Sequence, residues 1–306
     1  MSVDKPISVA EMSAGTPSSE IEIDVVLVRS LLLQQHPDLA NLPLHAGESG
    51  WDNMLLRLGD KLAVRLPRRS AAAILIKHEQ RWLPEIAPHL PLPIPVPLRL
   101  GVPGCGYPWH WSVVPWFPGN PSDLAKPNAD QGPVLSAFLR ALHLPAPTDL
   151  PLNPYRGVPL RQRLSVTEER FERVGRLTDC VTQEVREIWN QALNAPLDVA
   201  PTWIHGDLHS RNVLVKHGAF CAVIDWGDLA QGDRATDLAA IWTLLPDVTS
   251  RLRAMQSYGD TSGATWLRAK GWAVMFGLML IDSGIVNDAR LASAGEATLW
   301  RLTEEP

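Results

Sequence analysis

Residues 205–225 decide the reading: His205-Gly206-Asp207-Leu208-His209-Ser210-Arg211-Asn212, then Val213–Val215, a turn through Gly218, then Cys221–Ile224 and Asp225. Two short apolar runs around a glycine-containing turn predict an antiparallel hairpin. Asn212 opens its first strand and Asp225 closes its second, so in register the two ends lie side by side. An amide oxygen beside a carboxylate makes a pair of hard ligands, the type that Mg²⁺ takes. Asp207 stands on the loop just before, within reach of the same point. Phosphoryl transfer needs this set: a carboxylate to accept the proton of the attacking hydroxyl, and an amide and a carboxylate to hold metal on the phosphates. The plain alternative is a polar loop capping a hairpin. Each residue alone is common, and only the ordered string separates the two.

Outward from this island, the chain after Pro121 is mostly helical in pattern. Helices are predicted at 134–142, 167–174, 184–193, 235–245, 264–284 and 292–302. Before it, Ile23–Gln35 carries Ile23, Leu27 and Leu31 on one helical face. Asn53–Leu58 and Leu62–Leu66 read as strands around a Gly59-Asp60 turn. Ala71–Leu83 reads as a helix ended by Pro84. Eleven prolines fall between Pro84 and Pro121, leaving room only for short strands near Leu98–Gly101 and Trp111–Val114. The expected fold is α+β: a small antiparallel lobe, a stiff proline-rich connector and a larger helical lobe.

Composition narrows the function. The 306 residues carry a net charge of −5, which argues against nucleic acid held by bulk positive charge. Three scattered cysteines (105, 180, 221) make neither a zinc cage nor a disulfide framework and suit a reducing cytosol. The N-terminus lacks an apolar signal-peptide core, and the longest apolar run, Trp272–Ile281, is too short to span a bilayer. A cytoplasmic protein with no nucleic-acid, membrane or obligate protein partner is expected. The 12 Trp outnumber Tyr and Phe together. Trp266, Trp272 and Trp300 could be core or could line a ligand pocket.

The strings His205–Asn212 (HGDLHSRN) and Ile224–Asp228 (IDWGD) are similar to the signature of the aminoglycoside phosphotransferase family, which includes macrolide kinases and resembles choline kinases. Gly232–Ala239 also resembles the family's segment after the metal-binding aspartate. The resemblance covers roughly residues 41–285. It implies a bilobal protein-kinase-like fold using ATP, or GTP, with Mg²⁺ to phosphorylate a small-molecule hydroxyl. Acceptors of the aminoglycoside or macrolide type, or an amino alcohol or sugar, are implied. A nucleotide-binding pseudokinase is the other reading, opposed by the intact Asp207, Asn212 and Asp225. A protein kinase is disfavoured because no Asp-Phe-Gly or Ala-Pro-Glu is readable. The expected division is a flexible tail over 1–21, a nucleotide-binding lobe over 22–116 with a hinge at 112–119, and a catalytic and acceptor-binding lobe over 117–306.

By the same resemblance, Asp207 is the base, Asn212 and Asp225 are the Mg²⁺ ligands, and His205 packs under the loop. Asp237 either braces that loop or is an ordinary carboxylate at a helix N-terminus. In the small lobe, Gly47, Ser49 and Gly50 lie between two strands and would let backbone N–H groups approach phosphates. A plain hairpin turn is the alternative. The third-strand cation is Arg65, where most kinases carry Lys; Arg stays charged and can grip two oxygens. Its helix partner is Glu79, with Glu85 second, and Arg68 and Arg69 read as solvated. Adenine would meet the backbone at 112–119, where Pro115 has no N–H, so the donor is Val114 or Trp116. Beyond the motif, His209 or Arg211 would supply positive charge to the moving phosphoryl group; the alternative is that His209 packs against Asp225 or the helix behind. Charge splits mildly, −1 over 1–120 and −4 over 121–306. Glu168, Glu169 and Glu172 alternate with Arg170, Arg173 and Arg176, which reads as a solvated helix face. The modest charge favours a generic hydroxyl acceptor over a polycation.

Overall fold

The structure, a computed structural model, describes residues 18–259 and 261–304, with backbone alone at Glu48 and Ser49. Most of the tail expected over 1–21 therefore lies outside the described residues. The carboxylate of Glu20 accepts from the N–H and Oγ of Ser70 at 3.0 and 3.1 Å. It places negative charge at the start of a helix, where the dipole favours it.

That chain end leads into α1 (Val25–Gln35), capped by Asp24, whose Oδ1 accepts from the Leu27 N–H at 2.7 Å. Next come β1 (Leu44–Ser49), β2 (Asn53–Leu58), β3 (Leu62–Pro67), α2 (Ser70–Ile86), β4 (Arg99–Gly101) and β5 (Trp111–Pro115). They form an antiparallel sheet in the order β1-β2-β3-β5-β4. The period of two puts Leu56, Leu58, Val64, Leu66 and Val113 on the face that packs with Val28, Leu31 and Leu32 of α1. The same alternation turns Ala63, Arg65 and Ser112 to the opposite face, where Gln80 of α2 donates to Ser112 Oγ at 3.0 Å.

Two local expectations are corrected here. Gly47 and Ser49 belong to β1, not to a loop; the pairing with β2 shifts between His45 and Glu48. At that bulge a Cβ on Gly47 would lie 1.3 Å from Leu55 O, so the strand crossing itself demands glycine. Helix α2 also runs through Pro84 to Ile86. Proline there removes one N–H near the helix end, and Leu83 O still accepts from Ala87 N–H.

The proline-rich stretch lies along the junction of the lobes. Leu90, Leu92, Ile94 and Val96 pack on the larger core, and Val223 N–H donates to Pro93 O at 3.0 Å. The larger lobe contains β6 (Asn120–Pro121), α3 (Gln131–Leu142), α4 (Leu164–Gly175), α5 (Gln183–Asn194), β7 (Thr202–Ile204), β8 (Val213–Lys216), β9 (Ala219–Val223) and β10 (Ala230–Gly232). It continues through α6 (Ala235–Leu238), α7 (Ala240–Leu244), α8 (Val248–Tyr258), α9 (Gly263–Gly284) and α10 (Ala289–Thr303). The helix expected over 235–245 is two short helices meeting at Ala239, and α8, with few apolar residues, was not foreseen.

Helix α9 is the axis of this lobe. Trp272, Val274, Met275, Phe276, Leu278 and Ile281 are all buried, which is why its sequence is apolar on every side. No described helix is long and apolar enough to cross a membrane. Trp272 is core, Trp266 packs partly against it, and Trp300 is exposed. The fold is α+β, an antiparallel small lobe on a helical large lobe, as expected.

Candidate active site

The loop after β7 is held from behind. Asp237 accepts the backbone N–H of His205 at 2.6 Å and of Gly206 at 2.8 Å. It braces the loop and also stands in the first turn of α6, so both sequence readings apply. Gly206 has φ +86, and a Cβ there would meet Asp228 O at 2.7 Å, so only glycine fits. The buried His205 ring packs on Trp226, contacts Ile224 O through Nε2 at 3.0 Å and accepts Asp207 N–H at Nδ1.

This scaffold presents Asp207. Its Oδ1 accepts from Arg156 Nη2 at 3.1 Å. Its Oδ2 accepts from Asn212 Nδ2 at 3.1 Å and lies 3.2 Å from His209 Nε2. Burial works against the charged carboxylate, but His209, Arg156 and His205 outweigh it and hold the group well below the usual carboxylate range.

The hairpin forms as expected. Val213 pairs with Val223, and Ile224 N–H donates to Asn212 O at 2.8 Å. Asp225 thus emerges one residue beyond Asn212's partner. Its backbone has φ +60, unusual for a non-glycine residue, and its side chain is 50% exposed. Asp228 sits behind, accepting from Asn153 Nδ2 at 2.6 Å. Burial raises its proton affinity, Arg156 opposes that, and Asp207 adds to it.

Across the cleft, Arg65 grips Glu79 at two points, Nε to Oε2 at 3.1 Å and Nη2 to Oε1 at 2.8 Å. Its Nη2 also reaches Asp225 Oδ1 at 2.7 Å. Burial pushes the proton affinity of Glu79 up, and Arg65 pulls it back. Glu85 instead pairs with Arg81 on the surface, so Glu79 is the partner. Arg68 and Arg69 are not simply solvated: they tie down the turn after β1, Arg68 on Gly50 O and Arg69 on Asp52.

The two backbone expectations change. Gly50 N–H is already bonded to Asn53 O at 2.9 Å, which removes it as a phosphate donor. Trp116 N–H is bonded to Lys61 O at 2.7 Å. Antiparallel alternation turns Val114 N–H toward β3 as well. Hence neither named hinge donor is available, while the same alternation turns Pro115 C=O away from β3. Ser49 pairs with Met54 through its backbone.

Arg211 is engaged elsewhere, in a two-point pair with Asp288 at 2.7 and 2.6 Å. Sequence reasoning missed Arg156, Asn153 and Asp228 as a unit, because the loop carrying the first two has no motif spacing. It also misread α4. Thr167, Arg170, Phe171 and Val174 face inward, while Glu169, Glu172 and Arg176 face out. Placing Phe171 and Val174 on one face would have carried Arg170 inward with them.

The model of the phosphotransferase enzyme family (APH) matches residues 44–272. No curated protein matches the chain. Among solved structures, aminoglycoside 2'-phosphotransferase-IIIa bound to GDP is 15% identical, with a TM-score of 0.68 over 92% of this chain and 99% of that one. A GDP and kanamycin complex of an APH(2")-III enzyme is 17% identical, TM-score 0.66, over 90% and 98%. Macrolide 2'-phosphotransferase MphH from Brachybacterium faecium is 20% identical, TM-score 0.57, over 90% and 97%. At these identities the likeness is one of fold.

Proposed function

Because the chain belongs to the phosphotransferase enzyme family, we propose that it transfers the γ-phosphoryl group of ATP, or of GTP, to a hydroxyl of a small molecule. The observation that carries this reading is Asp207, kept ionised among Arg156, His209 and Asn212 and braced through Asp237. In the transfer, the acceptor oxygen bonds to phosphorus as the bond to the β-phosphate bridging oxygen breaks. The hydroxyl proton goes to Asp207, and the nucleoside diphosphate leaves.

Each remaining residue has a role in that step. Arg65, fixed by Glu79, offers a positioned cation to the nucleotide phosphates. Pro115 C=O would meet the base. Mg²⁺ would neutralise charge on the phosphates, and the donor set fits it: Asp225 is half-exposed, and Asn212 supplies the second hard oxygen.

Antibiotics of the kinds bound by the similar enzymes are one set of acceptors, and primary metabolites are the other. Arg156, beside Asp207, disfavours a polycationic acceptor. Coupled release of ADP or GDP, screened over aminoglycosides, macrolides and hydroxylated metabolites, tests the reading beside Asp207→Ala. The variant should lose about 10²-fold or more in turnover. Equal release by both proteins with every acceptor would overturn it.

A further inference from the structure

Four arginines, Arg156, Arg163, Arg170 and Arg173, form one cluster that reaches Asp207 through Arg156. Arg156 touches Asp207 and lies over the Phe276 ring at 5.3 Å, with Met279 Sδ 3.5 Å from its Nη2. One helical turn beyond Met279 on α9, Asp282 receives a two-point bond from Arg173 at 2.9 and 2.7 Å. Arg170 Nε stands 3.5 Å from the same carboxylate. Arg163, just before α4, lies over the Tyr155 ring at 5.3 Å. The groups feel one another: Arg156 repels both Arg163 and Arg170, and Arg163 and Arg173 repel Arg170.

The carboxylates cover this charge unevenly. Asp207 and Asp228 face Arg156, Glu169 faces Arg173, and Asp282 gives its two-point bond to Arg173 while lying 3.5 Å from Arg170. Arg163 has no carboxylate partner among the described residues, and its Nε is buried without a hydrogen bond. Arg170 Nε is likewise unbonded, on a side chain only 3% exposed. Burial first, against the pull of Asp282 and with the help of its arginine neighbours, brings Arg170 down to about 10, still cationic at neutral pH. Under-compensated guanidinium groups, buried at Arg170 and half-buried at Arg163, are costly in an unliganded fold and suit paired oxygens of a bound anion.

We propose that the acceptor is an anionic hydroxyl compound whose carboxylate or phosphate sits against Arg163 and Arg170 while its hydroxyl meets Asp207. This rests on the phosphotransferase reading. A polycationic acceptor would instead meet like charge on this wall.

Four hexoses separate the cases, since they share a ring and differ in charge: glucose, glucosamine, glucuronate and glucose 6-phosphate. Each is titrated into the ADP-saturated protein by calorimetry, in wild type and in the partly exposed Arg163→Gln, with thermal melting to report folding. Glucuronate or glucose 6-phosphate should bind at least about tenfold tighter than glucose, and Arg163→Gln should erase the difference. Preference for glucuronate identifies a carboxylate, and preference for glucose 6-phosphate a phosphate. Equal or absent binding of all four, preference for glucosamine, or a preference untouched by Arg163→Gln overturns the proposal. Failure of the kinase reading shows separately, as nucleotide release no greater than that of Asp207→Ala across the wider screen.

Discussion

Arg65 Nη2 donates to Asp225 Oδ1 at 2.7 Å, joining the third strand of the small lobe to the end of the hairpin in the large one. The same guanidinium grips Glu79, so one side chain ties β3, α2 and the expected metal-binding aspartate together. A lysine could offer one point charge here but not this fork. Arginine at this position is therefore consistent with an intact site.

Arg65→Ala leaves Glu79, 3% exposed, without its counter-charge. Removing one partner of a buried pair costs about 3–5 kcal/mol. The double variant Arg65→Met/Glu79→Leu should recover most of that stability in urea denaturation while nucleotide turnover stays lost. If the double variant is as unstable as Arg65→Ala, the stranded charge is not the cause.

The depressed proton affinity of Asp207 has a definite sign. A carboxyl whose folded pKa lies below its unfolded value, about 3.9, contributes stability that is present above that value and lost as pH falls toward the folded one. The carboxylate proposed as the base is then ionised throughout the neutral range. The acid limb of kcat/KM from Asp207 should lie below about pH 4, and Arg156→Gln should move it upward. A wild-type limb near pH 6 that Arg156→Gln leaves in place would assign it to another group.

Two glycines should be intolerant for different reasons. Gly47→Ala puts a Cβ 1.3 Å from Leu55 O, inside the β1–β2 crossing, so it should destabilise the small lobe with Asp207 untouched. Gly206→Ala combines φ +86 with a Cβ 2.7 Å from Asp228 O, so it should displace Asp207 and cut turnover as well. Gly106→Ala is the control: it has φ +81 but open space, and backbone strain alone costs about 1–2 kcal/mol. Chemical denaturation and turnover of the three variants check this. Equal losses would mean that crowding contributes nothing.

What was legible in the sequence was what is local. The order Asp207, Asn212, hairpin, Asp225 follows from spacing and strand period, and so does the placement of Arg65 on a strand. Glu79 was reachable because α2 follows at once. Arg156 was not, because it meets Asp207 across 51 residues of chain and no periodicity encodes that contact. The hinge donors were misassigned for a related reason. Which N–H groups face β3 depends on register, and one residue of slip exchanges the two faces. Pro84 does not end α2, because a lost N–H matters less near a helix end than in its middle.

The last prediction concerns the positive charge expected from His209 or Arg211. The geometry divides them. Arg211 spends both Nη groups on Asp288, the cap of α10, whose Oδ1 also accepts Leu291 N–H at 3.2 Å. Arg290 holds the nearby Asp123 at 2.7 Å, and the result is a corner fastened to the loop that carries Asp207. Arg211→Ala and Asp288→Ala should therefore lower stability by similar amounts, and the double variant by little more, with a coupling of about 1–3 kcal/mol. Both should keep turnover within about tenfold of wild type. His209 instead lies on Asp207 Oδ2, so His209→Ala should raise the acid limb of kcat/KM along with any fall in kcat. A loss of turnover near 10³-fold in Arg211→Ala, with Asp288→Ala unaffected, would return the charge-supplying role to Arg211, because only a group that leaves Asp288 for the phosphoryl could produce that split.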